Sequence, residues 1–103
     1  MDNIKFYGVN FLNKSYEFVF RYEHLSTGWR AYILDQPDYE GRDESFETTH
    51  RLRDEEGPYV CWNSPIETEE FMDGVVALWS RATVMYIVFG GDIIEHAERI
   101  QRS

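Results

Sequence analysis

The hydrophobic period of this chain changes once, near Ser64, and that switch confines it to a sheet followed by a helix. Before the switch, Tyr16, Phe18, Phe20 and Tyr22 alternate with Glu17, Val19, Arg21 and Glu23, the period-two pattern of a strand with one buried face. After it, Phe71, Val75, Leu78, Trp79, Ala82, Met85, Tyr86 and Phe89 recur at three- and four-residue spacing, the stripe of a helix packed along one side.

Shorter runs fill in the sheet. Residues 4–11 are rich in aromatics and are followed by Leu12-Asn13-Lys14-Ser15, whose Asn and Ser suit a turn. Residues 29–34 follow a second turn ending at Gly28, with Trp29, Ala31 and Ile33 on one side. Residues 48–53 alternate again, and Asp54-Glu55-Glu56-Gly57 leads into Tyr59-Val60-Cys61-Trp62 as a hairpin. Between the two groups, residues 36–47 are acidic and broken by Pro37 and Gly41, the composition of a surface loop.

Two helix starts are available. Ser64-Pro65-Ile66-Glu67 has the form of a capping box, and Thr68 followed by Glu69 and Glu70 is the other. Gly90-Gly91 stops the helix, and Asp92 with Glu95 opens a shorter one. The β-branched density of residues 84–89 also permits a strand, but the helical stripe stays in phase through Phe89. The far side of that segment, Val84, Ile87 and Val88, then packs on the tail or on a second copy, which makes it the expected homodimer contact. The expected fold is α+β over residues 1–103 as a single domain. An antiparallel meander of four or five strands is packed by one long helix, with a short C-terminal helix. Phe18, Phe20, Trp29, Ile33, Leu78, Trp79, Ala82 and Tyr86 are its expected core.

Charge is placed as unevenly as the hydrophobic pattern. Residues 35–73 hold thirteen of the nineteen acidic side chains and three of the ten basic ones. That segment therefore carries −10 and the remainder +1. Direct nucleic-acid binding is disfavoured, because phosphate contacts need clustered Lys and Arg. The alternatives are a solvated face that keeps the protein dispersed and a surface that meets a basic partner. On the second reading the contact residues are Asp38, Glu40, Asp43, Glu44, Asp54, Glu55 and Glu56, and the partner is a basic, nucleic-acid-binding protein.

Candidate chemistry is sparse. Cys61 is the one thiol, so no internal disulfide forms, and the absence of a basic-then-apolar N-terminal stretch argues against a signal peptide. The longest unbroken apolar stretch, residues 84–89, is too short to span a bilayer. The cytoplasm is the expected location. A cysteine-dependent enzyme would need His50 beside Cys61, which requires their strands to pair. His24, His50 and His96 show no metal-ligand spacing, so no zinc site is expected. A calcium loop starting at Asp35 puts Pro37 at a ligand position, and one starting at Asp38 puts Arg42 there, so neither frame works. Gly90-Gly91 lacks the Lys-Ser/Thr of a phosphate loop. No cofactor and no metal are expected. Arg51 and Arg53 sit within the acidic segment, either in local ion pairs or orienting carboxylates for a partner.

The stretches Gly28-Trp29-Arg30-Ala31-Tyr32-Ile33, Thr48-Thr49-His50-Arg51-Leu52-Arg53-Asp54 and Tyr59-Val60-Cys61-Trp62 resemble small uncharacterised proteins of bacterial phages and mobile elements. In size and acidity the chain is also similar to anti-CRISPR and anti-restriction proteins, several of which imitate DNA. What that likeness implies is a non-enzymatic inhibitor of a nucleic-acid-binding defence protein.

Overall fold

The computed structural model describes residues 3–102. Its elements are β1 (Asn3–Phe11), β2 (Lys14–Leu25), β3 (Gly28–Asp35), α1 (Phe46–Thr49), β4 (Arg51–Asp54), β5 (Gly57–Val60), α2 (Glu69–Phe89) and α3 (Ile93–Arg102). The fold is α+β: a five-stranded antiparallel sheet with a long helix and a short C-terminal one. The first three strands form the expected meander. Strand order then inverts, β1-β2-β3-β5-β4, because β5 pairs with β3 through Tyr32 and Tyr59 and leaves β4 at the edge.

Alternation in β2 places Tyr16, Phe18, Phe20 and Tyr22 under α2, all buried. Trp79 of α2 meets Phe18 and Phe20 edge-on, at 5.8 and 6.1 Å between ring centres, the geometry aromatic quadrupoles favour. Of the expected core, Leu78 and Trp29 are only partly buried; Leu78 borders a pocket, and Trp29 stacks on His24 at 4.6 Å.

α2 begins at the second of the two possible caps. The Thr68 hydroxyl accepts the Phe71 amide at 3.0 Å, and Glu69 and Glu70 sit at the positive end of the helix dipole. The box at Ser64 stays unused, because Ile66 is buried and its carbonyl accepts the Trp29 amide at 2.7 Å, holding this segment along β3. At the other end, Gly90 adopts φ 73° and accommodates Arg42, whose guanidinium donates to the Ile87 and Val88 carbonyls at 3.2 Å each. A Cβ at Gly90 would stand 2.9 Å from Arg42 Nη1, so glycine serves both the turn and the cation that closes the helix.

Residues 84–89 are helical, and the subunit contact expected of them is corrected. Val84 is 0% and Ile87 4% exposed within the chain, so Val84 and Ile87 offer no surface, and Val88 is itself partly buried against the core. By length and composition α2 could cross a membrane, but 56% of that span is already buried inside the fold. It is the core helix here.

The expected strand over residues 48–53 is also corrected. Ser45 caps one turn of helix, α1, and His50 ends it in the left-handed region at φ 53°. β4 starts only at Arg51. The Thr49 hydroxyl and amide both bond to the Ser45 carbonyl, at 2.8 and 3.0 Å, so local hydrogen bonding overrides the alternation.

Candidate functional site

The acidic loop between β3 and α1 is a fixed structure. Tyr39 is buried with its ring 6.1 Å from that of Tyr86, and the Tyr86 hydroxyl donates to the Asp43 carbonyl at 2.8 Å. Arg42 ties the loop to the end of α2, as described above. Arg51 ties it to the sheet: its guanidinium lies over Phe46 at 4.5 Å and Tyr39 at 5.2 Å. The same group donates to Thr49 Oγ1, Gln36 Oε1 and the Glu44 carbonyl, at 2.8, 3.3 and 2.8 Å. Two of the three arginines in the acidic segment thus anchor it. Arg53 is exposed above Phe46.

What the anchored loop leaves open is a groove of about 290 Å³ at one end of the sheet. Asp35 from the end of β3 and Asp38 and Glu44 from the loop border it, with Arg51 among its walls. Pro58, just after the β4–β5 turn, closes the far side. The first two acidic stretches therefore share one end of the sheet. The third does not. Glu69 bonds to Lys5 at 2.8 Å beside the start of β1, whereas Phe89, at the opposite end of α2, packs on Phe11.

The seven expected contact residues fall into different situations. Asp38 accepts the Glu40 amide at 2.8 Å, Glu40 pairs with Lys14 at 3.0 Å, and Asp43 accepts the Ser45 amide and the Thr48 hydroxyl. The Ser45 amide first, then the Thr48 hydroxyl, hold Asp43 below the ordinary carboxylate range. Glu44 and Glu55 are exposed, and among the described residues neither their side chains nor that of Asp38 pairs with a cation. Glu56 meets Arg21 at 3.3 Å.

Asp54 faces inward. Its Oδ2 accepts from Arg30 at 2.6 Å and from the Tyr32 hydroxyl at 2.7 Å, and its Oδ1 accepts the Glu56 amide at 2.7 Å. Arg30 crosses the Tyr59 ring at 4.0 Å and Arg21 covers Tyr32 at 4.6 Å. This layer buries Tyr32 to 2% exposure on the side of the sheet away from α2. The Tyr32 hydroxyl first, then the Glu56 amide and Arg30, hold Asp54 below its ordinary 3.8 against the opposing cost of burial.

A carboxyl whose folded pKa is depressed adds stability above its unfolded value and loses it as pH falls through the folded one. Urea midpoints are therefore expected to fall as pH drops below about 4. Asp54→Asn should flatten that acid limb without abolishing it, since Asp43 and Glu69 are depressed as well. An identical acid limb in the variant would contradict the Asp54 geometry.

His50 and Cys61 lie just beyond the paired ends of β4 and β5, and the Cys61 amide donates to the His50 carbonyl at 3.0 Å. Both residues border a pocket of about 380 Å³ between the sheet, α2 and α3, walled by Leu78, Trp79, Ala82, Ile93 and Ala97. Partial burial pushes the Cys61 thiol above its ordinary 9.0, the direction opposite to that of an activated nucleophile. His96 belongs to the helix junction, its Nε2 lying 2.8 Å from the Gly90 carbonyl. Among the described residues no group of His, Cys, Asp and Glu is arranged to hold a metal.

Sequence reasoning placed the acidic loop and turn but did not count Asp35 among the contact residues, since it falls between the strand over residues 29–34 and the loop over 36–47. Nor did it give Arg42 and Arg51 their anchoring roles. The aromatic residues Tyr39 and Phe46, on either side of Arg42 in the sequence, were the available signal. Comparison with protein-family models, curated proteins and solved structures returns no match.

Proposed function

We propose that the chain is a non-enzymatic binding protein whose acidic end enters a basic groove on a partner. The observation that carries this reading is the anchored groove, in which Asp35, Asp38 and Glu44 converge on one end of the sheet. Exposed Glu55 belongs to the adjoining hairpin. Charges held on a fixed scaffold bind without the entropy cost of ordering a loop. Duplex DNA presents one charge per roughly 1.7 Å of its axis, and clustered carboxylates compete for the same basic surfaces. The fitting partner is a nucleic-acid-binding protein of the cytoplasm, and the fitting activity is inhibition, in the manner of anti-CRISPR and anti-restriction proteins.

Competition tests the reading. The protein should displace duplex DNA from a basic nuclease, and less effectively as salt rises. Reversing Asp38, Glu44 and Glu55 to lysine should abolish displacement, because among the described residues no cation pairs with these three. Asp54 is a poor choice for reversal, since its carboxylate is already held by Arg30 and Tyr32. Unchanged displacement by the triple variant would remove the acidic end from the mechanism.

The shared pocket of His50 and Cys61 supports a second reading, a small cysteine-dependent enzyme. The partly buried thiol, held above its ordinary pKa, opposes it. Alkylation of native Cys61 at neutral pH is expected to be slower than that of a free thiol, and faster reaction would favour the enzyme.

A further inference from the structure

β1 is an edge strand, and its turn fixes which backbone groups it leaves unpaired. Leu12 and Asn13 form a two-residue turn with φ of 52° and 63°, setting Phe11 opposite Lys14. The residues flanking such a turn exchange both hydrogen bonds, and pairing alternates from there. Phe11, Val9, Tyr7 and Lys5 therefore bond to β2. Asn10, Gly8, Phe6 and Ile4 point their N–H and C=O groups away from the sheet. No backbone bond outside the sheet reaches these four among the described residues.

Exposed edges are ordinarily blunted by proline, a bulge, short length or outward lysines. β1 has none of these. It runs nine residues in unbroken register with β2, and its one charged side chain, Lys5, is held by Glu69 at 2.8 Å. On the side away from α2 it displays Phe6 at 79% and Ile4 at 36% exposure. Beside them, a Cβ built on Gly8 would have nothing within 4 Å.

We propose that β1 pairs antiparallel with β1 of a second copy, about a twofold axis through Tyr7. In this full-length register Asn3 lies opposite Phe11 of the second copy, and Phe6 lies opposite its Gly8. Each exposed ring then covers the bare backbone of the other chain's glycine, the cross-strand arrangement by which aromatics protect strand glycines. All four outward residues of each strand gain partners.

Self-repulsion is weakest at this edge, which leaves it open to a second copy. A chain of net charge −9 repels itself over most of its surface, but β1 carries no acid and one cation. The match of Phe6 to Gly8 occurs twice in the twofold pair, whereas an unrelated extended segment would satisfy the backbone alone.

Sedimentation velocity over a range of concentrations should show a monomer–dimer equilibrium. Phe6→Pro removes an outward N–H without touching a bond to β2, a position where edge strands accept proline. It should weaken dimerisation about tenfold or more, with the far-UV spectrum unchanged. A second variant reads the register directly. In a Cys61→Ser background, Tyr7→Cys places two thiols opposite each other at a Cα separation of about 4.5 Å, within disulfide reach. It should cross-link rapidly on mild oxidation, whereas Val9→Cys, which faces Lys5 of the second copy, should not. A monomer at every concentration would overturn the proposal. So would a dimer that survives Phe6→Pro, or one that cross-links through Val9→Cys as readily as through Tyr7→Cys.

Discussion

Replacing Trp79 with alanine is expected to lower the unfolding free energy by about 3–5 kcal/mol, the range for truncating a large aromatic in a packed interior. The indole joins three parts of the molecule. Its edges contact Phe18 and Phe20 of β2, and its Nε1–H donates to the Thr49 carbonyl at 3.0 Å, at the end of α1. Truncation empties the space between helix and sheet and leaves a buried carbonyl without its donor. Trp79→Phe keeps most of the ring and loses the donor, so it should cost about 1–3 kcal/mol. Urea denaturation followed by far-UV circular dichroism separates the two variants. A loss below about 1 kcal/mol for Trp79→Ala would mean that this ring is not the centre of the core.

The second large effect is expected at Arg51. Its guanidinium lies against two rings and donates three hydrogen bonds, so Arg51→Ala should cost about 2–3 kcal/mol. Arg51→Lys keeps the charge but loses the planar fork and should recover little of that loss. Arg53, exposed and over Phe46 alone, should tolerate alanine to within about 0.5 kcal/mol. The functional consequence is separate from the stability loss. Once Arg51 no longer bonds to Gln36 and the Glu44 carbonyl, hydrogen exchange and proteolytic nicking within residues 36–47 should rise. Affinity for the proposed basic partner should fall although no carboxylate has been removed. A loop as protected in Arg51→Ala as in the native chain would contradict the anchoring role.

The sheet, the long helix and the Asp92 cap were legible because each rests on a local pattern: alternation, a three-to-four spacing, or a side-chain oxygen before a helix; the start of the long helix stayed open between Ser64 and Thr68. Strand order was not legible. The β4–β5 hairpin could dock by either strand, and the choice falls to β5 because it carries Val60 into the core and sets Tyr59 against Tyr32. Residues 48–53 alternate in sequence, yet the hydroxyls of Ser45 and Thr49 draw the first of them into a helical turn. The apolar back of α2 left two occupants open, the tail or a second copy, because periodicity gives a face but not what covers it; Val84 and Ile87 are buried within the chain.

The acidic site was half legible for a related reason. Net charge can be counted from sequence, but which carboxylates are neutralised depends on residues far away in the chain. Asp54 looks like the first residue of an acidic turn and is taken up by Arg30 and Tyr32 of β3. Glu40 finds Lys14 in the β1–β2 hairpin, and Glu56 finds Arg21 of β2. Asp38, Glu44 and Glu55 meet no cation among the described residues, and the proposed binding surface depends on them.

One measurement tests that surface most directly. Native protein and the Asp38→Lys, Glu44→Lys, Glu55→Lys variant are immobilised in parallel and exposed to a bacterial lysate at low salt. The retained proteins are then challenged with duplex DNA. The native chain should retain nucleic-acid-binding proteins that DNA releases, and the variant should retain none of them. Proteins that DNA does not release, retained equally by both chains, would contradict the account.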